Sequence, residues 1–169
     1  MTERRPGIEA LYHYYCEFDA IKLLHHFNKG ADRKSDPDAV TNFLGVRVPV
    51  KVFPPILEPM KGSLEGLPIP GNWHADIAEW ASALRSVTAA RGTFRIVELG
   101  CGWACWLVNM GAAARSQGLN VDLIGIEGDR NHLANAADVL ALNGFTKDQF
   151  RLVHGIAGPK KGKALFPDP

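Results

Sequence analysis

A short apolar run that ends in an acidic residue and two closely spaced glycines is the feature that most limits how this chain can fold. The run is residues 95–99, and the chain continues as Glu98-Leu-Gly-Cys-Gly-Trp-Ala104 into a second apolar stretch. Glycines at such a junction permit a tight turn and a close approach of the backbone to a ligand. The N–H groups that open the following helix can receive a polar or anionic group. The pattern therefore predicts a strand, a turn and a helix, with a ligand site at the turn.

The alternation of strand and helix continues toward the C-terminus. We predict strands at residues 95–99, 121–127 and 150–153, and helices at residues 104–117 and 131–142. Short buried strands that alternate with helices indicate a parallel sheet covered by helices. A helix over residues 72–89, with Asn72 as its N-cap, is expected before the first strand. The predicted fold class is therefore α/β, with a Rossmann-like parallel sheet.

The first 71 residues have a different pattern. They are predicted to hold a helix at residues 8–28, one or two short strands at residues 40–53, and an irregular linker or lid, rich in proline and glycine, at residues 54–71. Gly45 and Pro49 are expected to break the strand stretch. We therefore divide the chain into residues 1–71, an α+β appendage, and residues 72–169, the α/β part.

Several residues around the turn indicate which kinds of ligand it could hold and which it could not. A dinucleotide fingerprint needs a third glycine where this chain has Cys105, and a phosphate loop needs a Gly-Lys-Ser/Thr sequence that is absent. Glu98 is a poor neighbour for pyrophosphate and a good one for a cationic methionine moiety. Glu127 follows Gly100 by 27 positions, at the end of the next predicted strand. Its carboxylate could accept hydrogen bonds from both hydroxyls of a ribose.

Four stretches of the chain together resemble the FkbM family of class I methyltransferases. They are Glu98-Leu-Gly-Cys-Gly-Trp, Ile126-Glu127-Gly-Asp129, Asn143-Gly144-Phe145 and His154-Gly-Ile-Ala157. The resemblance covers residues 72–166. It implies the first half of a methyltransferase domain that binds S-adenosylmethionine and that usually methylates a hydroxyl of a sugar or a natural product, so the expected partner is a small-molecule or glycan acceptor.

The resemblance also implies a set of cofactor contacts. Glu98 and the two glycines of the turn would line the methionine end, Glu127 would hold the ribose, and the two residues after Glu127 would lie beside the adenine. The full expected set is Glu98, Gly100, Cys101, Gly102, Trp103, Glu127, Gly128, Asp129, Gly155 and Ile156. Two departures from the family pattern stand out. Ala104 replaces a third glycine, and Gly155-Ile156 lies where many class I enzymes have an acidic residue.

Bulk properties narrow the remaining function classes. Nineteen basic and eighteen acidic residues give a net charge of +1, which offers no global field for nucleic acid. Three cysteines make no disulfide framework, and Cys101 and Cys105 have poor zinc spacing, so no metal site is expected. No window is apolar enough for a membrane-spanning helix. A cytoplasmic location is expected.

Simpler explanations of the same residues stay open. The turn could hold no ligand, and Glu127 could be a solvated strand end. Trp103 could contact ligand or belong to the core, and Trp106 is expected in the core. His154 is a weak candidate for a general base, so no catalytic residue is assigned.

The predicted strands make up only one side of a class I sheet. The strand at residues 96–99 would then have an unpaired, hydrophobic edge. We expect the chain to be a fragment that binds cofactor weakly or not at all alone. Residues 40–53 could instead cover the edge, or two chains could pair there as a homodimer. A catalytically inactive binding or assembly module is the alternative function.

Overall fold

The computed structural model of the protein describes residues 18–163. Its helices and strands are α1 (Ala20–Phe27), β1 (Ala39–Thr41), β2 (Arg47–Pro49), α2 (Pro54–Leu57), α3 (Ile77–Ala89), β3 (Thr93–Leu99), α4 (Cys105–Ser116), β4 (Asn120–Glu127), α5 (Arg130–Leu142) and β5 (Phe150–His154). Short 3-10 helices lie at Gly30–Asp32, Val50–Val52 and Glu58–Met60. The part of the first predicted helix before residue 18 lies outside the described residues.

The α/β part is a parallel sheet in the order β3-β4-β5, which confirms the predicted fold class. In the register of the sheet, Glu98 is paired with Gly125, and Glu127 with His154. The two carboxylates that the sequence singled out therefore lie near the carboxyl ends of adjacent strands. This is the edge of an open α/β sheet where ligands bind.

One face of this sheet is covered by helices. Helix α4 packs on β3 and β4, and α5 packs on β4 and β5. Right-handed crossovers between parallel strands place successive helices on the same face. Phe94 and Leu123 point into this covered face and are buried. At Gly125 an added Cβ would come within 2.7 Å of the Cys101 sulfur, so a side chain there would push the turn away from β4.

The opposite face of the sheet is uncovered among residues 18–163. Val97 is 52% exposed, Leu99 is 62% exposed, and Val153 on β5 is also exposed. Within that described range β4 is the one strand that pairs with β3, so the other edge of β3 is open. The alternative in which residues 40–53 cover this edge is wrong, because β2 pairs with β1 instead.

The hairpin β1–β2 packs against the helical side of the sheet. Its turn is held by Asn42, whose Oδ1 accepts hydrogen bonds from the backbone N–H groups of Leu44 and Val46. Asn143, after α5, binds the backbone of β2 through its side chain. Its side chain accepts from the N–H of Arg47 at 2.8 Å and donates to the Arg47 carbonyl at 2.8 Å. These bonds give hydrogen-bond partners to the backbone N–H and C=O groups of Arg47 in β2.

The N-cap of helix α3 lies four residues after Asn72, the residue that was predicted from the sequence. The N-cap is Asp76, which forms a capping box with Glu79. Asn72 lies in the preceding loop, where its Oδ1 accepts from Ala75 N and Trp80 Nε1. The prediction was wrong because Asn and Asp both bond to nearby backbone N–H groups, and either can begin a helix or close a turn.

Residues on both sides of position 71 share one hydrophobic core. Leu24 and Phe43 from the first part are buried with Trp80 and Leu107 from the second. The stretch at residues 54–71, predicted as irregular, contains α2, where Leu57 is fully buried. The division into two parts at residue 71 stays a prediction.

Candidate functional site

The turn between β3 and α4 is built from residues with left-handed backbone. Gly100 has φ of 69°, Gly102 has φ of 51° and Ala104 has φ of 69°. The N–H groups of Gly100 and Cys101 both donate to the carbonyl of Ile126, which fastens the turn to the end of β4. A Cβ added at either glycine would meet nothing within 4 Å. The glycines are therefore required by their conformation, and the space beside them is free.

Ala104 is the position where the family pattern often has a third glycine. It is fully buried and serves as the N-cap residue of α4, without a side-chain oxygen to accept from the helix. An L-residue in the left-handed region is under steric strain of about 1 kcal/mol or more. Alanine has the smallest side chain after glycine, a single methyl group, which explains why this residue can still occupy the turn.

Glu98 supplies the helix cap that Ala104 lacks. Its carboxylate accepts hydrogen bonds from the N–H groups of Trp106 (3.3 Å) and Leu107 (3.1 Å), two otherwise unpaired donors in the first turn of α4. Burial raises the pKa of Glu98 to about 7, against the opposing effect of these two N–H donors. Glu98 is therefore close to half-ionised at neutral pH, and it also has a structural role that its place in the sequence motif did not reveal.

Glu127 joins the two loops at the carboxyl end of the sheet. Its Oε2 accepts from the N–H of Gly102 (2.8 Å), and its Oε1 accepts from the N–H of Asp129 (2.9 Å). Although Glu127 is buried, the pKa of its carboxyl group is lowered, because backbone N–H groups at Asp129, Gly102 and Gly128 outweigh the desolvation. Glu127 is thus an ionised carboxylate at neutral pH. It has further lone pairs for a ligand hydroxyl, since a carboxylate offers about four acceptor positions.

The loop after β4 is held by its own backbone contacts. Asp129 is the N-cap of α5, with Oδ1 accepting from the N–H groups of Asn131 and His132. Nε2 of His154 lies 2.9 Å from the carbonyl of Gly128, and the N–H of Gly155 donates to the carbonyl of Glu127. Gly128, Asp129 and Gly155 are therefore at the same edge as the glycine turn. The side chain of Ile156 is 54% exposed.

The thiols of Cys101 and Cys105 are protonated at neutral pH. Burial and the nearby charges of Glu98 and Glu127 raise the pKa of Cys101 to about 12. Its side chain lies in the core against Gly125, so it can contact a ligand in the turn only through its backbone. Burial also raises the pKa of Cys105, whose sulfur is 3.3 Å from Nδ1 of His74. Residues 18–163 bring together no group of His, Cys, Asp and Glu side chains that could hold a metal ion.

An aromatic cluster lies next to the turn. Trp103 stacks on Trp73, with ring centroids 5.7 Å apart, and Trp73 is nearly parallel to Phe53 at 6.5 Å. His74 meets both tryptophans edge-on. Burial lowers the pKa of His74 to about 4, so its ring is neutral at physiological pH.

The sequence predictions did not include Phe53 or Trp73 in the site. These residues precede α3, and nothing in their local pattern shows that the chain returns to the turn. The concentration of tryptophans at positions 73, 80, 103 and 106 was the available signal.

The fold and the turn define the class of the protein. It is a Rossmann-like α/β domain whose glycine turn and adjacent ionised carboxylate stand at the ligand-binding edge of the sheet. Within the described range no helix has both the length and the apolar character needed to cross a bilayer.

Comparison with known proteins narrows this class. The chain is 56% identical over 133 residues to a protein of Jannaschia sp. (strain CCS1) that is named "Putative methyltransferase". The match takes in 79% of this chain and 48% of the relative, so the chain spans about half the length of that protein. No family model matches the chain. The similarity supports a methyltransferase family, and the narrower resemblance to the FkbM family stays a prediction.

Proposed function

We propose that this chain carries the cofactor-binding half of an S-adenosylmethionine-dependent methyltransferase. The observation that carries the proposal is the bond from the Gly102 N–H to Glu127, which fixes an ionised carboxylate beside an open glycine turn. The identity to the relative from Jannaschia supports the same assignment.

The residues present fit the cofactor. Glu127 keeps free acceptor positions for the two ribose hydroxyls, and the space beside Gly100 and Gly102 admits a ligand against the backbone. At the first turn of α4, Glu98 adds negative charge when it is ionised. A sulfonium and an ammonium group nearby would favour that ionised form and lower its pKa.

When bound, S-adenosylmethionine supplies an electrophilic methyl group for in-line attack by a hydroxyl oxygen. The contribution of this chain is to hold and orient the cofactor, since positioning of two reactants can account for a large part of a rate enhancement. We propose a sugar or natural-product hydroxyl as the acceptor. The described residues assign no base to its proton.

The test is ligand-observed NMR, because saturation transfer detects binding even where Kd is about 1 mM. This Kd corresponds to a binding free energy of about −4 kcal/mol. We expect saturation of the ribose protons of S-adenosylmethionine by the wild-type chain, and an affinity about tenfold lower in Glu127→Gln, for the loss of roughly 1.4 kcal/mol. Asp122→Asn is the matched control. It removes a carboxylate from the same strand, where Asp122 bonds to the exposed Arg95 instead of the turn.

Two outcomes would contradict the proposal. One is an absence of saturation transfer to S-adenosylmethionine in the folded wild-type chain. The other is equal affinity of Glu127→Gln and Asp122→Asn, with circular dichroism showing that both are folded.

The open sheet face favours a second candidate, a binding or assembly module derived from such an enzyme. The distinguishing experiment adds to the chain a segment that corresponds to the unmatched part of the Jannaschia relative, together with hydroxyl acceptors. The second candidate predicts that the chain then binds the cofactor but that no methyl group is transferred. Methyl transfer under those conditions would exclude it.

A further inference from the structure

The rings of Phe53, Trp73 and Trp103 form a continuous aromatic stack, which we call the ring stack. Successive rings are inclined by only 16° and 23°. The three residues come from three separate segments of the chain: the end of the 3-10 helix after β2, the loop before α3, and the glycine turn itself. Tertiary folding alone brings these rings together.

The ring stack begins in the candidate cofactor site and ends in solvent. Trp103 stands between Gly102, which is bonded to Glu127, and Ala104. Trp73 and Trp103 are partly buried against the core, whereas Phe53 at the outer end is 46% exposed. The stack therefore leads from the turn, at Trp103, to a ring that a molecule can reach from solvent, at Phe53.

Two ionisable side chains at the ring stack, His74 and Cys105, carry no charge at neutral pH. His74, edge-on to Trp73 and Trp103, has a pKa of about 4, and the Cys105 thiol beside it is protonated. Stacking on such rings is sequence- and substituent-tolerant, because it requires a flat ring face more than specific hydrogen bonds. The surroundings thus suit an uncharged ring better than a phosphate or a carboxylate.

We propose that the ring stack is the acceptor subsite, and that it takes an uncharged, hydroxyl-bearing ring by stacking. The inference rests on the proposed function and adds to it the class of acceptor and the part of the chain that selects it. The stacking face can belong to an aromatic ring or to a sugar ring, and the two sources are separated experimentally. Segments that precede β3, through Phe53 and Trp73, then determine acceptor specificity.

The test follows the indole N–H signals in NMR spectra of the 15N-labelled chain. All four tryptophans, at positions 73, 80, 103 and 106, belong to the aromatic cluster, so each reports on it. We expect 4-methylcatechol, as the aromatic probe, or methyl glucoside, as the sugar probe, to shift the Trp73 and Trp103 signals saturably. The signal of Trp80, which is fully buried, should stay in place.

Phe53 is the residue to substitute, because its exposed ring can be removed without opening the core. Loss of one stacking ring costs about 1–3 kcal/mol, so Phe53→Ala should weaken probe binding about fivefold or more. Phe53→Tyr keeps the ring and should bind like wild type. Ile56→Ala removes a comparably exposed apolar side chain from the neighbouring α2 and is the matched control.

Three results would overturn the acceptor subsite. They are no saturable shift with either probe, equal affinity of Phe53→Ala and Ile56→Ala, or shifts of Trp80 as large as those of Trp73. A parallel titration with S-adenosylmethionine, followed at the backbone N–H signals of Gly100 and Gly102, separates the two proposals. Cofactor shifts without probe binding reject the subsite alone, and probe binding without cofactor shifts rejects the proposed function.

Discussion

Glu98 and Glu127 lie at the carboxyl ends of adjacent strands, yet their surroundings move their pKa values in opposite directions. Desolvation is the largest cause at both, but at Glu127 several backbone N–H donors together outweigh it and lower the pKa. A pair of carboxylates whose environments separate their pKa values is typical of functional sites. The difference gives one permanent negative charge at Glu127 and one that depends on pH and on a bound cation at Glu98.

Glu98 should make the stability of the chain depend on pH in an unusual direction. Its folded-state pKa of about 7 lies above the ordinary value of 4.5, so the folded state binds more protons between these two values. Stability is then lost as the pH rises through this window. Between about pH 5 and about pH 8 the wild type should lose roughly 2–3 kcal/mol relative to Glu98→Gln.

Urea unfolding at a series of pH values measures this difference. The other titrating groups contribute equally to both proteins, so the difference isolates Glu98. Parallel pH profiles for wild type and Glu98→Gln would show that the carboxyl group titrates normally.

At the scale of elements, a buried pair of amides joins the hairpin to α4. Nδ2 of Asn42 donates to Oδ1 of Asn109 at 2.7 Å, and Nδ2 of Asn109 donates to the Cys105 carbonyl. Both side chains are almost fully buried. Because buried amides are costly to leave unpaired, this pair determines where the hairpin packs on the helix that begins at the turn.

Asn109→Ala should lower the free energy of unfolding by about 2–4 kcal/mol, because it leaves the Asn42 amide unpaired and opens a small cavity. Asn131→Ala, an exposed asparagine at the start of α5, is the control and should change stability by about 0.5 kcal/mol or less. A double-mutant cycle with Asn42→Ala should give a coupling of about 0.5–3 kcal/mol. Additive effects of the two substitutions would mean that the amides do not stabilise each other.

Helix and strand positions were largely predictable, whereas their ends were less so. The three parallel strands follow from short apolar runs, and the helices between them follow from apolar spacing. The start of α3 did not follow from the sequence, because Asn72 and Asp76 are both good N-cap residues. In the structure Asn72 bonds to Trp80 within the preceding loop, and Asp76 is the N-cap. The capping role of Glu98 was also hidden, because it depends on the approach of its carboxylate to the N–H groups of Trp106 and Leu107, eight and nine positions further along the chain.

On the scale of the whole molecule, residues 18–163 form a sheet with one covered and one open face. The open face carries Val97 and Leu99, and the edge of β3 beside them has unpaired backbone groups in that range. Exposed apolar strand edges favour pairing with another chain. A two-fold pairing of two β3 edges would use the same surface on both copies.

We therefore propose that the 169-residue chain forms homodimers through β3. Each copy contributes one Val97, and burial of one valine is worth about 1.5 kcal/mol, so Val97→Lys should weaken dimerisation about a hundredfold or more in sedimentation experiments. Leu64→Lys is the control, since Leu64 is similarly exposed but lies outside the sheet. A monomeric wild type, or equal effects of the two substitutions, would contradict the homodimer.

The sequence by itself determined the parallel α/β fold, the glycine turn after β3 and the two carboxylates at the strand ends. These features depend on local rules, namely apolar periodicity, the left-handed backbone that favours glycine, and the alternation of short strands with helices. Tertiary structure alone decided which N–H groups the carboxylates accept, and hence their opposite pKa shifts. It also decided that Phe53 and Trp73 meet Trp103 at the turn. The physical reason is that desolvation and ring stacking depend on segments far apart in the chain, whose approach no local pattern encodes.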